Sequence, residues 1–360
     1  MRRKKTDLSS LRQKIDAVDG RLVRLLNERV KLALEVSDVK RAQGASFYTP
    51  EREAALLDRV RKLNDDGVIP DDIMEFLFTQ IMSVTFHMGA PLTIAYFGPA
   101  GTHTHMAAIR KFGEKVDLNP YDDITSVFRA VESGEASFGV VPVENSTEGM
   151  VSHTLDMFID SPLKICSEAV LRIRHCLLAR SGGIDTVKKI YTHPQILAQC
   201  RGWLQRHLPR VELVPAGSSA AAAQMVRTQK NAACIGSEAA VGTYGLKILA
   251  RNVQDNQDNC TRFLVIGTYE TKPSGCDKTS VFFSMEDKAG ALYEMLLPFK
   301  KHNVNLTKIE SRPLKKKLWQ YYFFVDMQGH SEDAQVKAAL NEVAARAQLF
   351  KVMGSYPRAR

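Results

Sequence analysis

The stretch Asn259-Cys260-Thr261-Arg262-Phe263 joins a polar run, Gln254 to Asp258, to an apolar run, Phe263 to Ile266, that reads as a β-strand. A hydroxyl and a fixed cation thus sit where a strand meets a loop, the place where α/β proteins put their chemistry. Around this stretch the chain has 360 residues, enough for two or three domains, with 44% hydrophobic and 25% charged residues, the balance of a globular protein. No apolar run approaches the ~20 residues of a spanning helix. Met1 to Asp7 is a basic stub without a signal-peptide core, so a cytoplasmic protein with no membrane partner is expected. The net charge of +9 comes from basic and acidic residues that alternate without a long basic tract, which favours small anionic ligands over nucleic acid. The six cysteines lack paired zinc-type spacing and read as buried free thiols.

Three patterns of periodicity succeed one another. From Asp7 to Arg41, Leu8, Leu11, Ile15, Val18, Leu22, Leu25, Leu26, Leu32, Val36 and Val39 recur at helical spacing, with Ser10 and Gln13 as a possible capping box. Thr49 as cap and Pro50 at the first helical position announce a second helix to about Leu63, and a third runs from Asp71 to Met88. Helices of such unequal length make no compact single-chain core, so the long one calls for a second copy of itself and a homodimer or higher homo-oligomer. From Leu92, short strands alternate with helices, as in an α/β domain. Strands are expected at Thr93–Phe97, Phe138–Val143, Lys164–Ile173, Cys176–Ala179, Lys189–Thr192, Val211–Val214, Ala233–Ile235 and Phe263–Ile266. After a loop at Thr271 to Asp277 the order becomes strand (from Thr279), helix (from Ala291), strand (from Asn305), strand (Gln320–Met327), helix (Ser331–Ala347), strand (Lys351–Ser355), a ferredoxin-like split βαβ unit. The expected domains are residues 1–90, 91–271 and 278–358.

Polar clusters gather at the strand ends of the middle segment. Gly98 to His105 opens a helix with hydroxyls and backbone N–H groups, and Val140 to Thr147 ends a strand with Glu144, Asn145 and two hydroxyls. Thr192 and His193 come after another strand, with Gln199 beyond, and Ser218 and Ser219 start a helix after Gly217. In the first segment, Arg29 and Lys40 are eleven residues apart, about 16 Å along one helix face. Arg12 and Arg29 are seventeen apart, about 25 Å, too far to clasp one small ligand within a straight helix, so a site using both needs two chains.

The string Leu11-Arg12-Gln13-Lys14-Ile15-Asp16 with Asn27-Glu28-Arg29, Lys40 and Arg52-Glu53 resembles the helical chorismate mutases over residues 7 to 88. The resemblance implies that Arg12 of one protomer and Arg29 of the other hold the carboxylates of chorismate, with Arg52 and Thr85 also on the substrate. It makes Lys40 the donor to the ether oxygen and Glu53 the acceptor from the ring hydroxyl, as a pericyclic rearrangement needs only a folded conformer and well-aimed donors. Gly89 stands where that family carries a second ether-oxygen donor, Gln or Glu, and Thr49 replaces its Asp. Losing one such donor typically costs about 2.7 to 4 kcal/mol of barrier. Two readings result: a mutase in which His87 or a neighbour substitutes, or a helical segment that only dimerises.

The Gly98–His105 loop, the Val140–Ser146 turn, Thr192-His193-Pro194-Gln195, Gly236–Ala240 and Thr261-Arg262-Phe263 together resemble prephenate dehydratase over residues 92 to 270. That implies two α/β lobes with a cleft between them, as in type 2 periplasmic binding proteins. Thr261 becomes the acid for the departing ring hydroxyl, Arg262 either its nearest charge-stabilising neighbour or a residue that only orients the strand, and Glu144, Asn145, Thr192, Gln199, Ser218 and Ser219 the orienting residues. His103 replaces an aromatic or hydrophobic residue of the family. Arogenate is the alternative substrate, and a non-catalytic binding module the alternative function. Gly290-Ala291-Leu292 and Glu310-Ser311-Arg312-Pro313 resemble the ACT regulatory domain, which implies phenylalanine as effector between two copies. The whole chain resembles the bifunctional chorismate mutase–prephenate dehydratases. With no phosphate loop, metal cluster or dinucleotide fingerprint, no cofactor is expected.

Overall fold

The apolar periodicity after Asp7 becomes one 35-residue helix, α1 (Leu8–Ala42), succeeded by α2 (Pro50–Leu63) and α3 (Asp71–Gly89). The computed structural model describes residues 7–44, 46–313 and 321–359; the basic stub at residues 1–6 lies outside them. Asp7 rather than Ser10 precedes the first helical residue, and neither Asp7 nor Thr49 caps through its side chain. Ser37 is the one buried residue of α1, so Leu22, Leu25, Val36 and Val39 remain about half exposed on a long uncovered stripe. α1 and α3 cross closely at Gly89, where an added Cβ would lie 3.0 Å from Leu34 and 3.2 Å from the Ser37 hydroxyl.

A shared core joins the helical segment to the middle domain. Tyr48, between α1 and α2, is buried with its ring centroid 5.6 Å from Phe86 of α3 and 5.1 Å from Phe138 of the middle domain. That domain begins with β1 (Thr93–Phe97), α4 (His103–Phe112), β2 (Asp117–Tyr121), α5 (Ile124–Glu132), β3 (Phe138–Asn145), β4 (Gly149–Met150), α6 (Ser152–Asp160) and β5 (Lys164–Arg172). A second lobe holds β6 (Cys176–Ala179), β7 (Lys189–Thr192), α7 (Pro194–His207), β8 (Glu212–Pro215), α8 (Ser219–Val226), β9 (Ala232–Gly236), α9 (Ala240–Tyr244) and β10 (Lys247–Ala250). The chain then returns to the first lobe as β11 (Cys260–Gly267), inserted antiparallel between β3 and β5, to give the sheet order β2-β1-β3-β11-β5. The second sheet runs β10-β6-β9-β7-β8. β2, β4, β10, α5 and α9 are elements that the sequence reading lacked. β2 carries Pro120, which removes a donor from the ladder and is accommodated because β2 is an edge strand.

The last domain is β12 (Asp277–Ser284), α10 (Ala291–Lys301), β13 (Leu306–Pro313), β14 (Tyr321–Gln328), α11 (Ala334–Arg346) and β15 (Leu349–Pro357), in the antiparallel order β13-β14-β12-β15. This is the expected split βαβ topology; the expected strand start at Gln320 lies outside the described residues. Its sheet packs on the first lobe, since Phe282, Tyr322, Phe324, Met353 and Tyr356 share one core with Leu155, Phe158, Ile165, Leu264 and Ile266. Cys166, Cys176, Cys200 and Cys234 are buried as expected, but Cys260 is half-buried and Cys276 exposed. Burial pushes the Cys166, Cys200 and Cys234 thiols up to about 12. No helix among the described residues is long and apolar enough to cross a membrane.

Backbones of the last domain and the first lobe approach closely at Gly354 of β15, where a Cβ would stand 2.8 Å from the Ile165 nitrogen and overlap its carbonyl. Backbone cannot yield as a flexible side chain does, so Gly354→Ala is expected to destabilise the protein by about 1 to 3 kcal/mol in urea unfolding. A parent-like midpoint would contradict the close docking.

Candidate active sites

The two lobes are joined at residues 173–175 and 251–259, and these crossovers are bonded to each other: Ile173 N–H donates to Asn259 O at 2.7 Å and Val253 N–H to His175 O at 2.9 Å. Beside this hinge the ends of β3 and β11 meet in register, Thr261 opposite Asn145. The Asn145 amide donates from Nδ2 to Thr261 Oγ1 at 2.8 Å, while its Oδ1 accepts from the backbone N–H groups of Thr147 and Glu148 at 2.9 and 3.0 Å. Those two acceptances orient the amide, so its donor end is the one aimed at the threonine. Ser146 Oγ donates to Asn259 Oδ1 at 3.2 Å, and Asn259 Nδ2 donates to Gln199 Oε1 at 3.3 Å. Gln199 also receives His175 Nε2 at 2.9 Å and donates to Glu148 at 2.5 Å across the cleft.

Thr261, Asn145 and Gln199 therefore converge, and with them come Ser146, Glu148, His175 and Asn259, for which the sequence reading had no role. Asn259 and Ser146 could have been found by their place beside the motifs; His175 sits in a crossover that has no sequence signature. The remaining expected residues stand in the second lobe. Thr192 is buried at the end of β7, the Ser218 hydroxyl accepts from Ala221 N–H at 3.0 Å as the cap of α8, and Ser219 is that helix's first residue. The Gly98–His105 loop closes onto this lobe through Ser237 Oγ, which donates to Gly101 O at 2.6 Å.

Arg262 and Glu144 require correction. Alternate residues of a strand point to opposite faces, so Arg262 leaves the face of Thr261 and joins that of Leu264 and Ile266, under the last domain. Its guanidinium lies 2.8 Å from Asp326 Oδ2 of β14, 3.2 Å from Glu168 Oε2 of β5 and 3.3 Å from Glu144 Oε2. Burial alone would lower its pKa, but Asp326, Tyr356, Glu168 and Glu144 outweigh that and hold it raised. Glu144 also pairs with Lys308 of β13, so both expected cleft residues are engaged with the neighbouring domain instead.

His103 Nε2 lies 3.4 Å from Arg174 O, and its ring centroid is 5.3 Å from that of His175. Burial, and then the neighbouring His175, push His103 down to about 4, and burial lowers His175 as well.

On α1, Arg12 is exposed and Arg29 half-buried, with the Arg29 guanidinium 5.9 Å from the centroid of Phe78. Burial lowers the pKa of Arg29. Lys40 Nζ donates to Ser46 O and Phe47 O at 3.2 and 3.0 Å; burial lowers its pKa, Glu51 opposing and Arg52 adding to the shift. Arg52 is exposed, and the Thr85 hydroxyl donates back to Ile81 O at 3.0 Å. Glu53 is buried with Oε2 accepting from Tyr48 OH at 2.6 Å and pairing with Lys111 of α4 at 2.7 Å. A cation of the middle domain thus holds this carboxylate, a contact across domains that helix periodicity does not reveal. His87 is exposed, and a single protomer leaves Arg12 distant from Lys40 along α1.

In the last domain, Gly290, Ala291 and Leu292 border a cavity of about 280 Å³ with Met285, Tyr321 and Phe323. Gly290 has φ +81°, which a side chain would strain. The other expected effector residues are not part of that cavity. β13 alternates, so Lys308, Glu310 and Arg312 face the first lobe, Arg312 3.5 Å from Asp156, and Ser311 faces outward. Glu310 borders a separate void of about 10 Å³ with Arg262 and Asp326.

Three families of known proteins match successive stretches of the chain. The profile for chorismate mutase type II matches residues 11–88, that for prephenate dehydratase residues 94–271, and that for the ACT domain residues 279–345. A bifunctional chorismate mutase/prephenate dehydratase of Aquifex aeolicus is 45% identical over 98% of this chain and 98% of its own length. One from Pseudomonas aeruginosa is 44% identical with the same coverage of both chains. The chain belongs to the bifunctional chorismate mutase/prephenate dehydratase family. The fold is similar to the crystal structure of a prephenate dehydratase from Arthrobacter aurescens in complex with L-Phe, with TM-score 0.70, 35% identity, and coverage of 74% of this chain and 90% of that one.

Because His103 is held down to about 4 from an ordinary value of 6.5, the unfolded chain binds the extra proton between these values. Stability is therefore complete above about pH 6.5 and is lost as pH falls toward 4. His103→Phe, which keeps an aromatic ring but removes the titrating group, is expected to flatten the thermal midpoint against pH in this window. An unchanged slope would show that other groups set it.

Proposed function

We propose that this chain converts chorismate to prephenate in its helical segment and prephenate to phenylpyruvate in its cleft, and that phenylalanine binding to the ACT domain slows the second reaction. The dehydratase assignment rests on one hydrogen bond above all, that from Asn145 Nδ2 to Thr261 Oγ1. Because Thr261 Oγ1 accepts there, its own O–H is directed to another acceptor. The amide also stabilises negative charge on that oxygen as its proton leaves. In the reaction the bond from the ring to its carboxylate breaks to release carbon dioxide. The electron pair moves through the ring as it becomes aromatic, and the C–O bond at the opposite ring carbon breaks. Thr261 delivers the proton that turns the departing hydroxide into water, and solvent restores it. Gln199, Thr192, Ser218 and Ser219 orient the substrate from the second lobe.

For the mutase, Arg29, Lys40, Arg52, Glu53 and Thr85 come from one protomer and the partner's Arg12 completes the site. Support comes from the uncovered stripe of α1: a helix of 35 residues spans about 52 Å, and its half-exposed leucines and valines demand a matching surface. A second copy of the helix presents one. Gly89 leaves the ether oxygen with Lys40 as its donor from this segment, so the mutase is weaker than one that carries a second donor. A pairing of two chains also explains the divided effector residues, with phenylalanine between the cavity at Gly290–Leu292 of one ACT domain and the exposed Ser311 edge of another. The cytoplasm is the compartment that suits such a biosynthetic enzyme.

Thr261→Ala in the full chain is expected to lower dehydratase turnover by at least about 100-fold with mutase turnover unchanged. Supplying chorismate, prephenate and arogenate separately distinguishes the substrates. Parent-like release of phenylpyruvate by the variant would remove the acid role, and turnover of arogenate alone would replace the substrate.

A further inference from the structure

Among the described residues, the interface between the dehydratase domain and the ACT domain holds a linked set of three cations and three carboxylates. Arg262 contacts Glu144, Glu168 and Asp326; Lys278 of β12 lies 2.8 Å from Glu168; Lys308 pairs with Glu144. Asp326 is held in turn by the Ser280 hydroxyl at 2.6 Å, and Glu168 accepts from Ala359 N–H at 3.0 Å. The centre of the cluster is out of water, with the side chain of Arg262 12% exposed and that of Glu168 2% exposed, while Glu144 and Lys308 form its more exposed edge. Buried charges of this kind persist only while each keeps its partners, so the cluster fixes how the two domains sit.

Its position along the chain gives it a second consequence. The Asn145–Thr261 hydrogen bond is flanked on one strand by Glu144 and on the other by Arg262, each one residue from its partner in the site. Both flanking residues are tied to the ACT sheet, Glu144 through Lys308 and Arg262 through Asp326. The same central ACT strands reach the cavity at their other ends: β14 runs from Tyr321 and Phe323 at the cavity to Asp326, about 10 Å on, and β12 from Lys278 toward Met285. A ligand that shifts these strands moves the groups that hold Arg262 and Glu144.

We infer that Arg262 is a positioning residue for Thr261 and that its pair with Asp326, seconded by Lys308 with Glu144, couples occupancy of the ACT cavity to dehydratase turnover. This rests on the reading of Thr261 as the acid and of phenylalanine as the effector. Arg262 does not touch substrate; it sets where Thr261 and Asn145 stand, and the regulatory domain supplies one of its three counter-charges.

The test uses the full chain with Asp326→Asn, which keeps an acceptor for Ser280, and Lys308→Met, at the more exposed edge of the cluster. Phenylalanine binding by isothermal titration should stay within about threefold of the parent, while the factor by which saturating phenylalanine lowers dehydratase turnover should shrink at least about tenfold. Arg262→Lys should lower kcat with KM little changed, and mutase turnover should match the parent in all three variants. Inhibition equal to the parent's in both Asp326→Asn and Lys308→Met would overturn the coupling. Should Thr261→Ala keep full turnover while these variants lose inhibition, the acid assignment fails and the coupling stands.

Discussion

A guanidinium taken out of water must be surrounded by its counter-charges, and Arg262 meets that condition only because two domains supply them. Glu144 and Glu168 come from the strands on either side of β11, and Asp326 from the ACT sheet lying across them. Remove the ACT sheet and the arginine would lose a 2.8 Å partner together with the apolar cover of Phe282, Phe324 and Tyr356. Losing one member of a buried pair typically costs about 3 to 5 kcal/mol, a large part of a domain's net stability. The docking of the ACT domain is therefore part of how β11 is held. The two faces of β11 differ: Thr261 meets Asn145 in the cleft, and Arg262 meets the neighbouring domain.

The helical segment is bound to the dehydratase domain in a comparable manner. Tyr48 enters the core around Phe112 and Phe138, and Glu53 is held by Lys111 from α4. Burial, and then the adjacent Glu53, keep the Tyr48 phenol well above its usual pKa, so at neutral pH it is a donor to that carboxylate. Two catalytic segments and a sensor thus share continuous packing rather than hanging on linkers.

Much of this was legible in the sequence where the signal is local. α1 comes from an unbroken 3.6-residue period, Pro50 marks the start of α2, and the ends of β3 and β11 are announced by hydroxyls and amides after apolar runs. β2 was not legible, because Pro120 and its polar neighbours give an edge strand no apolar alternation. The separation of Arg262 from Thr261 could have been read from the period of two alone. What that period could not tell is what lies under the second face, since Asp326 and Lys308 are distant in sequence. The same limit explains why Glu310 and Arg312 were expected at the effector cavity: alternation along β13 turns them toward the first lobe together.

Buried charges that tie the ACT sheet to the catalytic strand should carry the state of the effector cavity to Thr261. Backbone hydrogen exchange, read at residues 143–146 and 260–264 with and without phenylalanine, tests this most directly. The effector is expected to alter protection in both segments in the parent and to leave them unaltered in Asp326→Asn. An effector response confined to residues 277–357 in an inhibited parent would contradict the coupling.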